Sequence, residues 1–63
     1  MKLTLYQVML TKEFCKILSS RGIVSFLRGK NYLVLNEKEA FTLFKSESQI
    51  EDLSESAVTI TEI

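Results

Sequence analysis

In the stretch IVSFLRGKNYLVL, Ile23 to Leu35, two runs rich in β-branched and aromatic residues flank Gly29 and Lys30. Glycine in the first position of a two-residue loop is the type II′ hairpin pattern, so Ile23 to Arg28 and Asn31 to Leu35 are expected to pair as antiparallel strands. That loop sets Leu27 opposite Tyr32, Phe26 opposite Leu33, Ser25 opposite Val34 and Val24 opposite Leu35. Val24, Phe26, Leu33 and Leu35 then share one face. Ile23, Ser25, Leu27, Tyr32 and Val34 share the other. Both faces are largely apolar, which is unusual for an antiparallel pair with one side in water.

Outward from the hairpin, Lys2 to Met9 alternates imperfectly, with Leu3, Leu5, Gln7 and Met9 on one side and Lys2, Thr4, Tyr6 and Val8 on the other, and reads as a strand. Thr11 is a candidate cap for a helix from Lys12 to about Ser20, whose Phe14, Ile17 and Leu18 fall on one face. Gly22 stands where a left-handed C-terminal stop belongs. On the other side, Asn36 with Glu39 three residues later resembles a capping box, predicting a helix from Glu37 to Lys45. A third meander strand over Phe41 to Phe44 is the alternative, because that segment is also rich in strand formers. Ser46 to Ser56, with a second candidate cap at Ser48, reads as a loop and a short helical turn. Ala57 to Ile63 alternates as a closing strand.

The order βαββαβ across a single domain, residues 1–63, predicts an α+β fold of the split βαβ, ferredoxin-like kind. Four antiparallel strands would carry two short helices on one face. The hairpin's second face, with Ile23, Leu27, Tyr32 and Val34, is then left without cover and becomes the expected interface.

Composition narrows the chemistry. A 63-residue chain buries only about 60% of the surface its unfolded form exposes. Cys15 is the sole cysteine and there is no histidine, so neither an internal disulfide nor a Cys/His zinc site can add stability. Association with a second copy is the natural remedy. A lone cysteine fits a reducing compartment, here taken as the cytoplasm, and no apolar run is long enough to span a bilayer. The first ten residues lack the cleavage site of a signal peptide.

Without histidine, Ser/His/Asp, Cys/His and His-based metal chemistry are excluded. Glu37, Glu39, Glu51 and Asp52 read as helix-terminus or surface acids, and Cys15 as a buried or half-buried filler, with a reactive thiol as the alternative. Gly22 and Gly29 are the only glycines, too few for a phosphate-binding loop. The chain is therefore read as no enzyme, with no cofactor and no metal.

Net charge is zero, yet it is unevenly distributed. Residues 1–45 hold all eight basic side chains and three acids, net +5, while residues 46–63 hold five acids and no base. The two halves are expected to attract each other weakly across the fold. Glu47, Glu51, Asp52 and Glu55 are the candidate docking charges for a basic partner.

These observations predict a small non-enzymatic protein-binding or regulatory module, a homodimer or a binder of another protein. Its size suggests a phage or mobile-element inhibitor that occupies a host protein surface. The alternative is a single-stranded nucleic-acid binder using Arg28 and Lys30 beside Tyr6, Phe26 and Tyr32. Against it, the isoelectric point near 6.2 lies far below the values above about 9 typical of dedicated nucleic-acid domains.

Overall fold

The structure, a computed structural model, describes residues 2–22 and 29–63. The chain runs β1 (Thr4–Leu10), α1 (Lys12–Ser20), β2 (Lys30–Val34), α2 (Glu37–Ser48), a 3-10 turn (Glu55–Ala57) and β3 (Val58–Glu62). Among the described residues the sheet has three strands in the order β2-β1-β3, with β1 antiparallel to both neighbours. The fold is thus a small α+β one with two helices. The expected strand over residues 23–28 lies outside the described residues.

The first helix forms as its sequence predicts. The Thr11 hydroxyl accepts a hydrogen bond from the Phe14 N–H at 3.3 Å, relieving one of the unpaired donors of the first turn. At the other end Gly22 adopts φ +78, and its N–H donates to the Ser19 carbonyl at 3.0 Å. Phe14 and Leu18 are buried, whereas Ile17, expected beside them, is exposed.

The segment left open between helix and strand is helical. Asn36 Oδ1 accepts from the Glu39 N–H at 2.9 Å, and Glu39 Oε2 accepts from the Leu35 N–H at 3.3 Å. This is a capping box displaced by one residue on its return arm. The helix buries Ala40, Phe44 and Ser48 and leaves Thr42 and Ser46 exposed, whereas a strand would put all five on one face. Small residues above and below Phe44 let α2 lie close against the sheet.

Lacking a proline or glycine to stop it, α2 runs a turn beyond the expected Lys45, and Ser48 is a buried residue of its last turn instead of a new cap. The helix ends on Gln49 with φ 58, a left-handed conformation that strains a residue with a Cβ. Gln49→Gly is expected to raise stability by about 0.5–1 kcal/mol, the strain relieved less the added freedom of the unfolded chain. Urea midpoints of Gln49→Gly and Gln49→Ala check it, since alanine should give no gain.

The core joins Val8, Val34 and Val58 from the sheet to Phe14 and Leu18 of α1, Ala40 and Phe44 of α2, and Ile50 and Leu53 of the following loop. Tyr6, Leu10, Tyr32, Phe41 and Ile60 pack around it.

Of the hairpin expected around Gly29 and Lys30, the first arm lies outside the described residues, and Lys30, expected in the loop, stands in a strand. Lys30 is the first residue of β2 and pairs with Val8 of β1. A Cβ at Gly29 would stand 2.6 Å from Cγ of Met9, so that exposed side chain would have to move aside. The facing of β2 follows from its pairing with β1: Tyr6 sits opposite Tyr32 and Thr4 opposite Val34. Residues opposite one another share a face, so Tyr32 and Val34 lie on the helix side and Leu33 on the other, the reverse of the expected assignment.

Candidate functional site

Two surfaces emerge from this parity. The first is the face of the sheet opposite the helices. Leu33, Leu5 and Ile63 form a row across the three strands, since Leu5 pairs with Leu33 and the Ile63 N–H donates to the Leu5 carbonyl at 2.8 Å. Met9 lies on the same face of β1, and Leu3 and Leu35 continue the alternation past the strand ends. These six side chains are 37–63% exposed, on the order of 600 Å² together, the top of the range for the largest patch on a monomer. Gln7, Asn31, Thr59 and Thr61 fill the remaining positions of this face in the paired strands. It carries no charge among the described residues.

The second surface is the edge of β3 with the cleft between it and α2. This cleft of about 280 Å³ is lined by Glu37, Lys38, Phe41, Glu55, Val58 and Ile60.

The residues expected to form an interface are otherwise disposed. Val34 is in the core at 1% exposure. Tyr32 is half-buried and its hydroxyl donates to Glu47 Oε2 at 2.6 Å. Ile23 and Leu27 lie outside the described residues.

Of the acidic docking candidates, Glu47 and Asp52 are engaged within the chain. Lys30 Nζ donates to Glu47 Oε1 at 2.7 Å, and Arg21 donates to Asp52 at 3.0 Å. The opposed charges of the two halves thus meet in the fold, tying β2 to the last turn of α2 and the end of α1 to the loop after it. Glu51 and Glu55 are exposed, Glu55 at the mouth of the cleft.

Hydrogen bonds from Lys30 and Tyr32 hold the Glu47 carboxyl below its ordinary value of 4.5, and the bond from Arg21 holds Asp52 below 3.8. Burial, reinforced by the hydrogen bond to Glu47, pushes the Tyr32 phenol well above 10.0. A depressed carboxylate contributes stability above its unfolded value and loses it as acid protonates the folded form. A raised phenol contributes below about 10 and loses its contribution as base ionises the unfolded chain. Stability of the native chain relative to Glu47→Gln is therefore expected to shrink as pH falls from about 6 to 3. Urea melts of both proteins across that range check it. A gap independent of pH would mean that Glu47 is not held as described.

The nucleic-acid reading loses its platform on this face. Tyr6 and Tyr32 lie on the helix side, so no aromatic stands on the open sheet among the described residues. Lys30 bonds Glu47, and Arg28 and Phe26 lie outside the described residues. Among the described residues there is also no group of three or more potential metal ligands, and no helix long and apolar enough to cross a membrane.

Leu3, Leu5, Leu33 and Leu35 were legible in the sequence as apolar positions, but their facing was not. The missing signal was the β1–β2 pairing, which involves residues more than twenty positions apart.

Fold and surfaces together define a small α+β domain with one helix-covered sheet face and one apolar face that is bare among the described residues. No family model, curated protein or solved structure matches the chain.

Proposed function

We propose that this chain is a small non-enzymatic protein-binding and regulatory module that self-associates through the open face of its sheet. The observation that supports this reading is the uncharged apolar face of Leu3, Leu5, Met9, Leu33, Leu35 and Ile63. Together with its polar positions it approaches the 800 Å² or so that each partner contributes to a standard interface.

A second copy is the occupant that suits it. A neutral, flat face meets its own image without like-charge repulsion, and two sheets stack face to face about 10 Å apart with their side chains interleaved. The order β2-β1-β3 is also the order that the split βαβ arrangement gives its third, first and fourth strands. A regulator of this size, such as a mobile-element inhibitor working in the cytoplasm, acts by occupying a surface and needs no active site.

Light scattering over a range of concentrations tests the assembly. A mass of two chains, unchanged by high salt because the face is uncharged, is the expected result. One chain at every concentration would overturn it.

A further inference from the structure

β3 is an edge strand among the described residues, and its backbone is the second place where this fold is incomplete. The Thr11 N–H donates to Ala57 O, and the Ile63 N–H to Leu5 O. In an antiparallel ladder this alternation turns the N–H and C=O of odd-numbered residues 57–63 toward β1 and those of Ile60 and Glu62 away from the sheet. Val58 also faces outward, but its N–H is taken by the Glu55 carbonyl. Ordinary proteins blunt such an edge with lysine, proline or a bulge. VTITE, Val58–Glu62, has no lysine or proline.

The side chains at these outward-facing positions point to the helix layer, where Val58 and Ile60 form one wall of the cleft and Phe41 of α2 another. Glu37 and Glu55 stand at the cleft against the single cation Lys38, and Glu62 follows Ile60 on the same face of β3. An edge strand beside a helix-lined cleft is the geometry by which an extended peptide adds to a sheet, its backbone giving affinity and its alternate side chains specificity.

We propose that β3 takes up an extended segment of another protein as an added antiparallel strand. Its pattern is basic–x–apolar–x–basic: the apolar residue opposite Ile60 enters the cleft, and the flanking bases meet Glu55 on one side and Glu62 on the other. Charge decides against a second copy here. Pairing two β3 strands about Ile60 sets Glu62 of each opposite Val58 of the other and beside its Glu55, bringing like charges together. The proposal rests on the reading of the chain as a binding module, but uses a different surface from the self-association face.

The probe is a capped, fluorescein-labelled nonapeptide with arginine–threonine–valine–threonine–arginine at its centre, titrated against the full chain by fluorescence anisotropy. Saturable binding of one peptide per chain is expected. N-methylation of the central valine, which removes the N–H that pairs with the Ile60 carbonyl, should weaken it at least tenfold, as should Glu55→Lys. Circular dichroism confirms that this exposed substitution leaves the fold intact.

Absence of binding overturns the proposal, and so does equal binding of the N-methylated peptide, which would reduce the effect to charge attraction. A fall in chain mass on adding peptide would show that a second copy already occupies β3, and would equally overturn it. Repeating the titration with Leu5→Lys/Leu33→Lys separates the two surfaces. Peptide binding should survive there whether or not the native chain is a dimer.

Discussion

Phe44→Ala is expected to leave little or no cooperatively folded protein. Phe44 is the largest fully buried side chain among the described residues, at 1% exposure. It projects from the middle of α2 into the cluster shared with Val8, Val34 and Leu18. Removing a buried phenylalanine ring costs about 3–5 kcal/mol, because the cavity collapses only in part. A chain of this length has about 3–9 kcal/mol of stability altogether, by the usual 0.05–0.15 kcal/mol per residue. No disulfide or Cys/His metal site adds to it. Leu43→Ala, on the neighbouring residue, removes a side chain that is 42% exposed and should change stability by about 1 kcal/mol or less. Urea melts followed by circular dichroism compare the two. Equal losses would mean that α2 does not present Phe44 to the sheet.

The second large effect concerns assembly. Leu5→Lys/Leu33→Lys places two ammonium groups at the centre of the open face, on cross-strand partners of β1 and β2. In a two-fold dimer each substitution enters the interface twice, so four charges would have to be desolvated without partners. The dimer should weaken at least about 100-fold, equivalent to about 2.7 kcal/mol, and light scattering should show single chains at concentrations where the native protein is paired. Both leucines are exposed, at 37% and 60%, so the monomer is expected to keep its circular dichroism spectrum. Leu5→Thr/Leu33→Thr, which introduces β-branched strand formers, serves if the lysines disturb the sheet. A variant whose mass follows that of the native chain at every concentration would exclude this face from the interface.

The two substitutions separate what local sequence encodes from what it does not. Thr11, Gly22, Asn36 and Glu39 act within a few residues of themselves, and the first three form the bond or turn that their spacing implies, while the Glu39 carboxylate reaches one residue further, to Leu35. The closing strand is likewise as its alternation indicates, whereas the short turn before it forms at Glu55–Ala57 and not after the candidate cap Ser48. Even the attraction between the basic and acidic parts of the chain was visible as a charge count, although not that Lys30, Tyr32 and Glu47 would meet as a group.

The inward face of the second hairpin run is hidden from the sequence for a related reason. Gly29 supports two local explanations, a turn residue or a residue admitting a close neighbour, and the neighbour, Met9, comes from another strand. Because Asn31 to Leu35 is apolar on both faces, alternation within it cannot say which side is inward. The run is therefore equally compatible with Tyr32 and Val34 on a partner surface, whereas in the fold they belong with the core and with Glu47.

Helix caps, the mixed α+β class, the absence of histidine and the small size of the core all follow from residues read along the chain, because each depends on short-range geometry or on composition. Which face of the sheet is bare, which edge is open and which charges are already paired follow from strand register. Register is a contact between distant residues, and a shift of one position reverses every side chain on a strand while leaving its pattern of apolar residues unchanged.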